Sequence, residues 1–560
     1  ELVDFTAGDK IPFDVHKALL SPDVTKHAYN APFEWWCLSK HLQLPDPIAW
    51  LDQWRCTMLH GLYCGYTAGL GATAKALGLS QDKQKMTEGK ALIRYFCGPC
   101  KPTKSNGMRG RNLPHHEPER WELFKDYCRQ DVVVEMAIAD KLQSFPVPDD
   151  VQNDWIIDQT INSYGVAVDL SLVDNAIAID EHSTNELMDE ARELTGLDNP
   201  KSVAQLTAWL EEQTGRDIPN LQKATVSELV TELDGAPKRA LEIRQELAKT
   251  STSKYLAISN TVCDDGRVRG LLQFYGANRT GRWAGRLVQV QNLPRNYIGT
   301  LDLARELVHK GDTEGIRLLY GDVPDTLSQL IRTAFVPSEG NKFMVADFSA
   351  IEARVIAWLA GETWRQEVFA THGKIYEASA SAMFGVPIDK IVRGNPEYEL
   401  RQKGKVAELA LGYQGGPGAL KAMGALNMGL SEDELPDIVE RWRQSNRRIV
   451  DLWYAIDRAA IACVSTAQPQ GVNGIMFARE GDYAQGQDFL TITLPSGRKL
   501  YYPKPYMGTN RWGSDSVCFY GLDSSYKWGQ VETYGGKLTE NITQAIARDC
   551  LAESIRRLHK

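Results

Sequence analysis

The chain has 560 residues, which at about 150 residues per domain corresponds to three or four domains. Apolar residues make up 43% and charged residues 24%, an ordinary soluble globular composition, and no run of 18 apolar residues exists, which excludes a helical membrane span. Lys plus Arg number 63 and Asp plus Glu 72; the net charge of −9 argues against a basic coat but leaves room for a basic cleft on an acidic body.

The start, Glu1-Leu-Val-Asp, lacks Met, a basic region and an apolar region, so no signal peptide is visible and the end reads as a cut one. Ten cysteines without framework spacing read as reduced thiols of a cytosolic protein. Residues 1–145 mix short apolar runs with helical patterns, as an α/β domain does. Cys97-Gly-Pro-Cys100 spells a redox motif, but a low thiol pKa needs a helix N-terminus, and a loop-like stretch follows it here. His115 and His116 are adjacent, whereas zinc-finger histidines are spaced by three to five residues. From Arg94 to Arg111 there are five cations and no acid, which suits single-stranded DNA; a solvated loop is the competing reading.

Phe145-Pro-Val-Pro-Asp-Asp150 reads as a linker, because two prolines remove donors and favour extended backbone. Residues 151–262 are charged and helical by period. Arg267 to Leu301 then holds six arginines (267, 269, 279, 282, 286, 295) and no acid. Arginine's planar fork suits phosphate, and Gln289, Gln291 and Asn292 in the same window could read base or sugar edges. Phe343-Met-Val-Ala346 has the pattern of a buried strand, and Asp347 at its end, ahead of a helix from Ala350, could hold a metal or cap that helix.

Residues 363–465 are mostly helical by period. Within them Arg401, Lys405, Leu409 and Tyr413 recur every four residues and share one drifting helix face, which fits a triphosphate beside a stacked base. Residues 466–560 return to strands at Phe489–Leu494 and Lys499–Tyr502 and end in a helix from about Ile542.

Together these segments resemble the family A DNA polymerases, the type of bacterial DNA polymerase I and many phage replicases. Asp347-Phe-Ser-Ala-Ile-Glu352-Ala-Arg354 is similar to the family's motif A, and Arg401-x3-Lys405-x7-Tyr413 to its motif B. Thr280-Gly-Arg282 with Gln291-Asn-Leu-Pro294 is similar to its primer–template segment, and Leu494-Pro-Ser-Gly-Arg498 and Gln544-x4-Asp549 follow in the expected order. His27 to Glu34 and Tyr127-x3-Asp131 resemble the second and third motifs of a DnaQ-like 3′–5′ exonuclease.

The resemblance implies a multidomain α/β and α+β fold, an RNase H-like exonuclease domain followed by a right-hand polymerase. A partial exonuclease domain would span 1–145, a helical thumb 151–265, the palm 266–362 and 466–560, and the fingers 363–465. Asp347 would ligate two magnesium ions, Arg401 and Lys405 would grip the incoming triphosphate, and Tyr413 would close on the template side. Glu352 would crowd the sugar 2′ position, and Leu409 would pack on the base, without the stacking of the aromatic usual there. Arg282, Gln291 and Gln544 would contact the minor groove, whose acceptors are nearly the same for every base pair, with Arg286 and Asn292 beside them. Lys374 replaces an acid expected before Ile375-Tyr376.

In the exonuclease, Glu34 and Asp131 would share two further magnesium ions if it is active, with Tyr127 orienting water. No Asp-x-Glu on an opening strand precedes these motifs, and the polymerase motif C, a His-Asp-Glu, does not occur, so the chain reads as a fragment cut at both ends that extends primers poorly. The expected partners are primer–template DNA and dNTPs, with no membrane and no legible processivity factor. The expected location is the cytoplasm of a bacterium or of a phage-infected host. The alternatives are a nucleic-acid clamp with an incomplete catalytic centre and a single-subunit RNA polymerase, which Glu352 argues against.

Overall fold

The computed structural model describes residues 1–80, 88–248, 252–482, 486–510 and 513–559. At the N-terminus β1 (Lys26–Ala28) leads into α1 (Ala31–His41), and β2 (Trp54–Cys56) pairs with β1 in parallel, Lys26 opposite Trp54. Then come α2 (Gly89–Cys97), α3 (Pro118–Leu142) and α4 (Asp149–Tyr164). Next are β3 (Val166–Val168), α5 (Leu170–Thr195), β4 (Arg267–Val268), the paired β5 (Leu272–Ala277) and β6 (Arg282–Gly285), and β7 (Phe335–Val336). The helices α6 (Ile351–Ala360), α7 (Ile375–Phe384), α8 (Leu400–Leu411) and α9 (Arg447–Thr466) follow. The last segment holds β8 (Gln470–Val472), β9 (Ile475–Asp482), β10 (Gln487–Thr493), β11 (Lys499–Pro503), β12 (Tyr506–Thr509), β13 (Asp515–Leu522), β14 (Trp528–Glu532) and α10 (Gly535–His559). Among the described residues no helix is long and apolar enough to cross a membrane.

The chain gathers into two compact units, one of residues 1–159, 274–283 and 347–560, the other of 160–273 and 284–346. In the first unit β8 to β11 form an antiparallel sheet in the order β11-β10-β9-β8, and β12-β13-β14 a second one. Side chains alternate across a strand, and here both faces are covered. Leu490, Ile492, Leu500 and Tyr502 enter a core with Trp442, Trp453 and Ile542. Phe489 and Tyr501, on the other face, enter a core with Trp35, Trp54 and Trp155 from the N-terminal segment. A strand covered on both faces reads as a near-continuous apolar run, which is why Phe489–Leu494 stands out in the sequence. In the second unit β3 is flanked by β4 and β7, both antiparallel, over a core that includes Leu172, Ala176, Tyr255 and Ile331.

Four expectations change. Phe343–Ala346 is not a strand: no described strand pairs with it, so its backbone stays irregular, and Met344 and Val345 are 84% and 92% exposed. The linker begins docked, with Phe145 buried against Phe489 at 4.8 Å between ring centroids. The last helix starts at Gly535 rather than Ile542. Its two leading glycines allow close approach, since a Cβ at Gly535 would lie 2.1 Å from the Trp453 carbonyl oxygen and one at Gly536 2.6 Å from that of Tyr413. Finally, α8 ends at Leu411, so the four-residue face holds through Leu409 and breaks before Tyr413.

Candidate active site around Glu352

Helix α6 starts after Ala350, which takes a left-handed φ of 51°, and Glu352 lies in its first turn. The Tyr413 hydroxyl donates to Glu352 Oε2 at 2.8 Å. Gln544 Nε2, on α10, lies 3.5 Å from the same oxygen and 3.4 Å from Glu540. Arg282, on β6, approaches Glu352 Oε1 at 3.6 Å. Four of the residues singled out by sequence thus meet at one carboxylate, from segments up to 262 positions apart. Burial, then the Glu352 charge, pushes the Tyr413 phenol well above its ordinary value, so it is held as a neutral donor.

The turn before Arg282 is fastened at each residue. Asn278 Nδ2 donates to the Tyr66 carbonyl at 2.7 Å, and Arg279 to that of Tyr501 at 2.5 Å. The Thr280 carbonyl accepts from Arg498 and the Gly281 carbonyl from Arg548, both at 3.0 Å. Arg498 is paired with Asp549 at 2.7 Å, which joins the Leu494–Arg498 and Gln544–Asp549 motifs. Burial alone would lower the Arg498 pKa, but Tyr275 and Asp549 beside it hold it above the ordinary value. Arg548 pairs with Asp154 at 3.1 Å, and Arg556 pairs with the same carboxylate at 2.6 Å.

On α8, Arg401 Nε donates to Glu377 Oε1 at 2.7 Å and lies over the Tyr376 and Tyr398 rings; the Glu377 bond is the main cause of its raised pKa. Gly404 makes this contact possible: a Cβ there would lie 2.3 Å from the Tyr376 carbonyl oxygen, so only glycine lets α7 and α8 pack so closely. Lys405 is half-buried and has no ion pair among the described residues, and Leu409 is 50% exposed. Glu408, which sequence reading missed, forms a buried pair with Arg365 and accepts from Trp442. No local signal marks it, since its partners are 43 and 34 positions away. Asp347 is exposed in the irregular segment, apart from the Glu352 cluster's hydrogen bonds.

The arginine-rich window proves divided. In the second unit, Arg267 bonds the Tyr164 and Gly165 carbonyls and Arg269 pairs with Asp265, so both serve the fold. Arg279, in the first unit, stacks on Tyr502 and Phe519 at 4.6 Å each, and burial lowers its pKa. Arg286, Gln291 and Asn292, in the second unit, are exposed; Gln291 lies across Gly285, and Asn292 Nδ2 donates to Gln289 Oε1 at 3.2 Å.

In the N-terminal segment Glu34 lies on α1 and Tyr127 and Asp131 on α3. Burial pushes the Glu34 carboxyl up, and the neighbouring Glu135 adds to the shift. Asp131 and Glu34 both act on Cys128. Tyr127 is 4% exposed and packs with Leu92, Phe96 and Phe124. Among the described residues no group of three or more His, Cys, Asp or Glu stands close enough to hold a metal. Cys97 ends α2, at the pole of a helix that does not stabilise a thiolate.

A family profile for DNA polymerase family A matches residues 175–462. A DNA polymerase of Bacillus phage SP02 is 55% identical over 561 residues, covering 100% of this chain and 84% of the relative. DNA polymerase I of Rhizobium leguminosarum is 30% identical over 28% of this chain and 14% of its own length. The thermostable DNA polymerase I of Thermus aquaticus is 41% identical over 12% of this chain and 8% of its own. Among solved structures, the POL domain of Pol1 from M. smegmatis, in complex with DNA primer-template and dNTP, aligns with a TM-score of 0.49 at 17% identity, over 97% of this chain and 76% of that one.

Proposed function

The chain belongs to DNA polymerase family A, and from that premise we propose which of its residues carry the reaction. It is a DNA-directed DNA polymerase. In the chemistry of this class the primer 3′-hydroxyl attacks the α-phosphorus of a dNTP, a phosphodiester bond forms, and pyrophosphate leaves.

The observation that carries the assignment is the junction at Glu352. Tyr413, Gln544 and Arg282 tether both carboxylate oxygens, so the side chain is fixed where it can exclude a 2′-hydroxyl from the incoming sugar. Arg282 and Gln544 then face the minor groove near the primer end, and Tyr413 closes against the template side. Arg401 and Lys405 bind the triphosphate as cations one helical turn apart, and Leu409 packs its exposed side chain on the base. Arg286, Gln291 and Asn292, all exposed, are further DNA-contact residues. The partners are accordingly primer–template DNA and dNTPs.

Family A polymerases generally use divalent metals. The donor set here does not fit a two-magnesium site: Asp347 is an exposed carboxylate, and among the described residues it belongs to no group of three or more His, Cys, Asp or Glu.

The parallel β1–β2 pair with Glu34, Tyr127 and Asp131 on adjoining helices supports an exonuclease-like origin for residues 1–145. The thumb over 151–265, fingers over 363–465 and palm over 266–362 and 466–560 complete the reading; the antiparallel sheets β8–β14 are the support for the last part of the palm. The exposed Asp347 favours one second reading, a nucleic-acid clamp with an incomplete centre. Primer extension by the full chain and by Asp347→Ala separates them. Extension lost in the variant, with DNA affinity kept, supports the enzyme assignment; equal extension by both removes Asp347 from it.

A further inference from the structure

Residues 89–116 contain six cations, Lys90, Arg94, Lys101, Lys104, Arg109 and Arg111, and no acid, in a chain of net charge −9. The catalytic assignment uses none of them. The segment that follows α2 is closed on itself. Pro99 and Arg111 form an isolated antiparallel bridge, and the Cys100 N–H donates to the Gly110 carbonyl at 2.8 Å. Thr103 and Asn106 form a reciprocal cap, the Asn106 amide also donating to the Lys101 carbonyl at 2.9 Å. Arg109 Nε donates to Asn112 Oδ1 at 2.9 Å, and Asn112 Nδ2 to the Tyr95 carbonyl at 3.0 Å.

The division of labour within the loop is informative. Asn106, Asn112, Thr103 and Arg109 use their polar groups to fix its backbone. Lys101, Lys104 and Arg111 are exposed and make no ion pair among the described residues, so their charge is held out on a rigid frame with nothing local to neutralise it. Beside them Met108 is 64% exposed, and the exposed His115 ring lies tilted by 45° against His116 with centroids 4.1 Å apart. Cations along a loop with an exposed ring at its edge match a single nucleic-acid strand: the cations neutralise successive phosphates and the ring accepts an unpaired base.

We propose that the loop of residues 98–112, with His115, is a second DNA-contact surface that binds single-stranded DNA through Lys101, Lys104 and Arg111. The activity of the chain supplies two sources of such a strand, the template ahead of synthesis and a frayed primer 3′ end. Both present the same phosphates and unpaired bases. The remaining candidate, an acidic protein surface, offers neither regular phosphate spacing nor a base for His115.

The test uses the full chain and the triple variant Lys101→Ala/Lys104→Ala/Arg111→Ala. None of these side chains holds the loop, so the melting temperature should be unchanged. Binding of oligothymidylate, followed by fluorescence anisotropy across a salt series, should weaken about tenfold at low salt. The slope of log K against log salt should fall by about 2, since each lost single-strand phosphate contact removes about 0.7. Extension of a matched primer–template should stay at the wild-type rate. Unchanged oligothymidylate affinity and slope in a normally melting variant would overturn the proposal, as would equal binding of an acidic polypeptide at the same loop. A benzophenone residue in place of Ser105 distinguishes the sources. Photo-crosslinking to the 5′ template overhang identifies the template, crosslinking to a mismatched 3′ end identifies the frayed primer, and crosslinking to neither refutes the contact. Failure of the Asp347→Ala test would leave the oligothymidylate result standing, because that measurement reads binding alone.

Discussion

Arg548 donates from Nε to the Gly281 carbonyl at 3.0 Å, fastening the last helix to the turn that carries Arg282. The same guanidinium pairs with Asp154, and the two side chains are 1% and 2% exposed. Removing Arg548 takes away the more buried of the two cations on Asp154 and the donor to the Gly281 carbonyl, leaving Asp154 only the more exposed Arg556. Arg548→Ala should therefore lower the melting temperature strongly in a thermal denaturation. Arg556→Ala should cost less, because Arg556 is more exposed and Asp154 keeps Arg548. Equal losses would mean that Asp154 depends on the two arginines alike.

Glu352→Ala should raise ribonucleotide incorporation. In the proposed role the tethered carboxylate stands against a 2′-hydroxyl, and removing it would open space for one small polar group. The ratio of kcat/KM for a dNTP over its rNTP should fall about tenfold or more, the scale on which a pocket distinguishes substituents of that size. Steady-state primer extension with each nucleotide measures it.

Tyr413 should not ionise in the range where an ordinary phenol begins to. Burial and the adjacent Glu352 both disfavour the phenolate, and both act in the same direction. The difference in 295 nm absorbance between the wild type and Tyr413→Phe should stay flat from pH 8 to about pH 10, near the ordinary tyrosine value. Glu352→Gln should bring the phenolate signal to lower pH by removing one of the two causes.

Arg401→Ala should act on KM for the nucleotide more than on kcat. Loss of a charge-assisted hydrogen bond is worth about 1.5–3 kcal/mol, or roughly ten- to a hundredfold in affinity. Glu377→Gln should give a smaller increase in KM, since it loosens Arg401 without removing its charge. A Glu377→Gln variant with a larger effect than Arg401→Ala would show that Glu377 acts independently.

The residues at the Glu352 junction are legible in sequence because each sits in a compact motif. Regular elements are legible where burial imposes an apolar run, as in β10, or a helical period, as in α8. The failures are equally physical. Phe343–Ala346 has strand composition, but a strand needs a ladder partner, and composition cannot report one. Arg267, Arg269 and Arg279 looked like phosphate ligands by charge alone, yet carbonyls, an acid and aromatic faces claim them. Asp154 and Glu408 carry buried pairs whose partners lie 394 and 43 positions away, so nothing local announces them.

The two-faced packing of β10 and β11 bears on how this polymerase can be taken apart or recombined. Phe489 and Tyr501 present one side of the strands to tryptophans of residues 1–159, while their neighbours face the helices of the other core. The N-terminal segment therefore forms one wall of the core beneath these strands. Cutting it away would leave a bare aromatic sheet, and grafting it onto another polymerase would require matching that sheet residue by residue. Substitution of Glu34 or Asp131 should be tolerated by the fold, whereas loss of the whole segment should not.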